Sequence, residues 1–215
     1  MDIPRFIVLL SPITALIAFV TGVRLYRFQS REMKLLVLYI GLALATEILL
    51  AVVGRQSIDN NWVSHPYTII EYGILTYVFS RWQRSDLLRR VLVWSIFLFV
   101  VVEIGAVLFY ENIRQFDSTS RTVEGIVFIG VAAFTLYGIS RDETTIPLRD
   151  PRFWIAMTVL FYFAGTTVIF AVFSALIKIP SDQTKVIWLL LLALNPISYL
   201  LYARSFVCSS PKAIS

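Results

Sequence analysis

The chain has 215 residues, 58% of them hydrophobic and only 15% charged, against about 45–50% and 25% in globular proteins. With a mean hydropathy of +0.76, lipid is the expected solvent for most of it. The net charge of +5 sits in short connections where membrane proteins keep it to fix orientation, which excludes a nucleic-acid partner. Cys208 is the one cysteine, which excludes an internal disulfide and a cysteine metal cluster.

Seven apolar stretches run along the sequence, at about Phe6–Val23, Met33–Val53, Val63–Ser80, Leu88–Tyr110, Arg121–Ser140, Phe153–Ile177 and Val186–Ala203. Each approaches the roughly 20 residues that cross a bilayer at about 1.5 Å per residue. The expected fold is therefore an all-α bundle of seven transmembrane helices in a single domain, 1–215. The connections after spans one, three and five, with the C-terminal tail, hold 13 of the 19 Lys and Arg; the other side holds 6. That asymmetry predicts an N-terminus outside and a C-terminus in the cytoplasm, and it alternates correctly only with seven crossings. Aromatic residues mark the expected interfaces: Trp62, Tyr67, Tyr110 and Trp188 outside, Tyr26, Trp82, Trp154 and Tyr202 inside.

In span one, Met1-Asp2-Ile3-Pro4-Arg5 lacks the charged start of a cleavable signal, so the span is expected to stay as a helix. Ser11 lies within it. Span two carries Glu47, with Ala43 and Ala51 one turn to either side, where helices approach closely. The connection Gly54–Trp62 and the connection Arg141–Arg152 are the longest, near a dozen residues, and leave no room for an output domain.

Span three opens Trp62-Val63-Ser64-His65-Pro66-Tyr67-Thr68 and runs on to Glu71-Tyr72. That W-x-x-H-x-Y-T-x-x-E-Y unit resembles the third span of small uncharacterised bacterial seven-helix proteins, a resemblance that implies no activity. His65, the sole histidine, reads as a helix-end residue at headgroup level. A zinc hydrolase of the seven-span ceramidase type needs several His and Asp ligands, and this sequence lacks them. Span four carries Glu103. Span five begins with Arg121 and Glu124, expected to pair at the surface.

Ionisable groups within spans are costly and default to a functional reading. Glu47, Glu71 and Glu103 lie roughly 9–12 Å below the outer ends of their helices, counting about 1.5 Å per residue. They are expected in one layer on spans two to four, with Ser11 at similar depth and His65 and Tyr67 nearby. This suggests an outward acidic pocket for a cation, a protonated amine or a proton.

In span six Thr158, Tyr162 and Thr166 share one face, and in span seven Asn195, Ser198 and Tyr202 do so. Both stripes read as hydrogen bonding between or within helices rather than as a cavity wall. Asn195-Pro196-Ile197-Ser198-Tyr199 resembles the N-P-x-x-Y element in the seventh helix of rhodopsin-type receptors. It covers five residues; the cysteine pair and the acidic-Arg-aromatic triplet of those receptors are missing. Asn195, Pro196, Ser198 and Tyr199 are therefore read as a convergent proline hinge. Retinal proteins need a lysine deep in the last helix, and every lysine here flanks a span. The paired prolines of small sugar transporters are missing from spans two, four, five and six.

The functional expectation is a ligand- or ion-responsive sensor in a bacterial inner membrane, acting through a partner protein at its basic inner loops. The alternatives are a small transporter or channel coupled to protons or cations, and a membrane scaffold. No cofactor, metal or catalytic residue is expected, and the bilayer itself is the one certain partner.

Overall fold

In the computed structural model, residues 5–54, 63–109, 118–171 and 181–209 are described. They form seven helices: α1 Arg5–Leu25, α2 Arg31–Gly54, α3 Ser64–Trp82, α4 Asp86–Phe109, α5 Ser118–Ser140, α6 Pro151–Ala171 and α7 Ser181–Cys208. Short 3-10 turns precede α2 and α6, and the described residues include no strand. Trp62, Tyr110, Lys178 and Lys212, most of the Gly54–Trp62 connection and the end of span six beyond Ala171 lie outside the described residues, as do the side chains of Lys185 and Trp188.

Five of the helices, α1, α2, α4, α5 and α6, are long and apolar enough to cross a membrane. This is the composition of an integral membrane protein. The more polar α3 has a physical explanation in its burial. Thr68, Glu71, Thr76 and Ser80 on it are almost wholly enclosed, because α2, α4 and α5 all pack against it. A helix screened by its neighbours can carry polar groups that a lipid-facing helix cannot.

Helix order around the bundle is not chain order. α7 packs on both α1 and α6, α6 on α5, α5 on α3, and α3 on α2, which returns to α1. Six helices thus close a ring, and α4 lies outside it, packed chiefly on α3. The outward side of α4 carries Leu87, Trp94, Phe97, Leu98, Val101 and Leu108, each more than 60% exposed. Such a surface belongs against lipid.

Aromatic packing fixes the middle of the ring. Tyr72 stacks on Phe99 with centroids 3.9 Å apart, and Phe128 touches Tyr72 and Phe163 at 5.3 and 4.9 Å. Small residues set the closest approaches. A Cβ on Gly125 of α5 would collide with Thr167 of α6, and one on Gly22 of α1 would come within 2.7 Å of Val37 on α2. These glycines let backbones draw together where lipid supplies no hydrophobic drive between helices.

One end of the bundle gathers the ends of α1, α3, α5 and α7 with the starts of α2, α4 and α6. Arg81 meets Glu32 at 3.7 Å, Arg84 meets Asp142 at 2.7 Å, and Arg204 lies over the Trp154 ring at 5.6 Å. Cys208 is buried there, its thiol 3.7 Å from the Leu148 carbonyl.

A cavity with two glutamates

A cavity of about 200 Å³ lies inside the helix ring. It is smaller than the roughly 300–1,000 Å³ of drug-sized ligand pockets, so it suits a small molecule or a few waters. Its wall comes from five helices: Tyr39, Ala43, Thr46, Glu47 and Leu50 of α2; Ser64, Tyr67 and Glu71 of α3; Arg121 of α5; Val159, Tyr162 and Phe163 of α6; and Asn195, Ser198, Tyr199 and Tyr202 of α7. Six aromatic rings and three ionisable side chains therefore share one small space.

Glu71 is compensated on both oxygens. Its Oε1 accepts from the Tyr39 hydroxyl at 2.5 Å and lies 3.5 Å from that of Tyr67. Its Oε2 accepts from the Arg121 guanidinium at 2.5 Å. Arg121 reaches in from the first turn of α5 with only 10% of its side chain exposed, stacks over the Tyr67 ring at 5.3 Å and meets Glu124 at 3.4 Å. A buried pair of this kind holds together because either charge alone would bear an uncompensated desolvation cost.

Glu47 is held differently. Its Oε1 accepts from Ser11 at 2.8 Å and from Tyr199 at 2.9 Å. Its Oε2 is enclosed and accepts no hydrogen bond from any described residue, and the Ser198 hydroxyl on the same cavity wall is likewise without one. The two donors to Oε1 come from the two helices with an internal proline. Ser11 precedes Pro12 in α1, and Tyr199 lies about one turn beyond Pro196 in α7. α7 continues through Pro196 as a single helix. Each proline removes one helical N–H and frees a carbonyl, so the residues gripping Glu47 sit where their helices bend most easily.

Comparison with protein-family models, with curated proteins and with solved structures finds no match to this chain.

Several expectations change. Glu103 does not join Glu47 and Glu71: it projects from α4, which stands outside the ring, and pairs with His65 at 2.6 Å away from the cavity wall. His65 lies in the first turn of α3 but is enclosed, 5% exposed, and its Nε2 and the second Glu103 oxygen accept or donate nothing to the described residues. Glu124 does pair with Arg121, but in the interior with no exposed surface. Tyr67 and Tyr202, expected near the interfaces, line the cavity. Asn195, Ser198 and Tyr202 line it too, against the expectation for that stripe, whereas Thr158 and Thr166 donate to carbonyls four residues back, as expected.

Ser11 contributes through Glu47 and is not itself on the cavity wall. Tyr39, Tyr162 and Arg121 are cavity residues that the sequence reading missed. A signal for Arg121 existed: a carboxylate as deep as Glu71 requires a cation, and Arg121 starts a helix whose first turn lies at the same end as that of α3. Among the described residues, no group of three or more His, Cys, Asp and Glu side chains converges.

Proposed function

We propose that the chain crosses the membrane seven times with its N-terminus outside, and that its cavity binds a small organic cation. The single observation behind this reading is the enclosed Glu47 Oε2, which lacks a donor inside a box of aromatic rings. A buried carboxylate oxygen needs a proton or a donor, and an ammonium group supplies both charge and N–H. Tyrosine and phenylalanine faces add cation–π attraction of about 0.5–2 kcal/mol each when desolvated. Glu71 is not the contact, since Arg121 already satisfies it.

The preferred role is a ligand-responsive receptor in a bacterial inner membrane, signalling to a partner protein at the basic end of the bundle. A cation on Glu47 Oε2 draws carboxylate charge away from Oε1 and so weakens the hydrogen bonds from Ser11 and Tyr199. Releasing them alters how α1 and α7 sit against α2, and both helices carry the prolines that ease bending. The same two prolines favour a second reading, a transporter in which that bending opens the site alternately to each side.

Purified protein in detergent, titrated with methylammonium, dimethylammonium and ethanolamine, separates these. Binding that is lost in Glu47→Gln supports the site. The same protein in liposomes then distinguishes the roles: binding without solute movement marks a receptor, and movement abolished by Glu47→Gln marks a transporter. Absence of binding to all three probes would leave a scaffold and contradict the proposal.

A further inference from the structure

A second concavity of about 350 Å³ opens at the basic end, between the start of α2 and the end of α3. Arg31, Lys34 and Arg81 line it, facing one carboxylate, Glu32. Glu32 is shared with Arg81 at a loose 3.7 Å, so the cations outnumber the acids and positive charge is left over. Lys34 lies 5.2 Å from the Tyr26 ring centroid, which steadies the ammonium on one wall.

The remaining lining is apolar and exposed. Leu38 of α2 is 57% exposed and Tyr77 of α3 is 45% exposed. One heptad further into the membrane, the antiparallel helices place Ala45 and Ile70 on the same sides as Leu38 and Tyr77. Both are exposed as well. A basic pocket therefore continues into an apolar strip running along α2 and α3 toward the bilayer centre. α2 is itself apolar enough to span, which puts Arg31 at its end near the headgroup level.

We propose that this groove binds an anionic phospholipid, its phosphate held by Arg31, Lys34 and Arg81 and its acyl chain lying along Leu38, Tyr77 and Ile70. A soluble anion would satisfy the three cations but has no use for the apolar strip. A zwitterionic lipid fits the strip but carries its own ammonium toward the basic wall. Guanidinium groups can bind phosphate oxygens in a bidentate fashion, and basic residues at a membrane surface attract anionic lipid additively. This site does not involve the cavity or its glutamates, so it stands apart from the receptor and transporter readings.

Native mass spectrometry of the full chain in detergent, with phosphatidylglycerol and phosphatidylcholine in competition, tests it. The wild type retains phosphatidylglycerol preferentially. Arg31→Gln, Lys34→Gln and Arg81→Gln each weaken that retention about fivefold, the factor expected for one surface cation. Arg89→Gln and Arg90→Gln, exposed at the start of α4 at the same end, leave it unchanged. All five substitutions are at partly or fully exposed positions, and melting curves without lipid establish that the variants fold. Equal loss in the α4 variants would reduce the effect to general surface charge and overturn the site. Equal retention of phosphatidylcholine, or displacement of the lipid by millimolar inorganic phosphate, would overturn the lipid assignment.

Discussion

Glu47 and Glu71 line the same cavity, yet their surroundings assign them different work. Glu71 has an arginine and a tyrosine hydroxyl in contact; Glu47 has two hydroxyls on one oxygen and no described residue bonded to the other. A carboxylate that is fully paired stabilises helix contacts, because removing it or its partner leaves a stranded charge. A carboxylate that is half satisfied costs free energy in the resting protein and retains the capacity to bind. Both line one cavity, so position alone does not indicate function; the partner set does.

The sharpest way to break that contrast is at Arg121. Arg121→Ala strands Glu71 in the interior and is expected to destabilise the protein by about 3–5 kcal/mol, read as a large fall in melting temperature. Arg121→Lys should recover only part of this, since one ammonium cannot reproduce the guanidinium's planar contacts with Glu71 and the Tyr67 ring. If Arg121→Ala melted like the wild type, Glu71 would not depend on it. Packing provides a smaller effect of different origin. Gly125→Ala forces a methyl into Thr167 and should cost about 1–3 kcal/mol by overpacking, without altering ligand selectivity.

At Glu47 the expected pattern reverses. Glu47→Gln keeps an oxygen for Ser11 and Tyr199, so stability should change by less than about 1 kcal/mol, while cation binding disappears. Tyr199→Phe removes one of the two clamps on Oε1 and should alter affinity without abolishing it; a variant that loses binding as fully as Glu47→Gln would make Tyr199 a direct contact.

The smallest effect lies outside the bundle core, at Asp142. Its carboxyl is held below the usual aspartate range by hydrogen bonds from the Thr144 side chain and backbone, with Arg84 adding attraction. A depressed value means the stabilisation is present above the ordinary aspartate pKa of about 3.9 and is lost as pH falls through the lower folded value. Asp142→Asn should remove that acid-side dependence from melting curves by lowering the neutral-pH melt slightly, toward the value the wild type reaches in acid.

Much of this architecture was legible in the sequence. The observed helices match the seven apolar stretches to within a few residues where they are described, and Glu47 and Glu71 stand out as carboxylates in apolar surroundings. What sequence could not supply was the order of helices around the ring. In water a buried face and an exposed face differ in polarity, and periodicity reveals which is which. In lipid both faces are apolar, so Trp94 and Leu98 of α4 look no different from core residues. Adjacency in the chain then suggested that spans two, three and four share a pocket, whereas α4 is displaced and α5, α6 and α7 complete the wall. Arg121 was misplaced for a related reason. A charge in the first turn of a helix suggests a surface, but a long side chain can carry its head group several ångströms inward from there.

The most direct test of the account compares the two acids that the structure separates most clearly. Equilibrium binding of ethanolamine and methylammonium should be measured for the wild type, Glu47→Gln and Glu103→Gln. Binding lost in Glu47→Gln and retained in Glu103→Gln is the expected result, because among the described residues Glu47 is the carboxylate with an unpartnered oxygen on the cavity wall. Retention in Glu47→Gln, or equal loss in both variants, would contradict it.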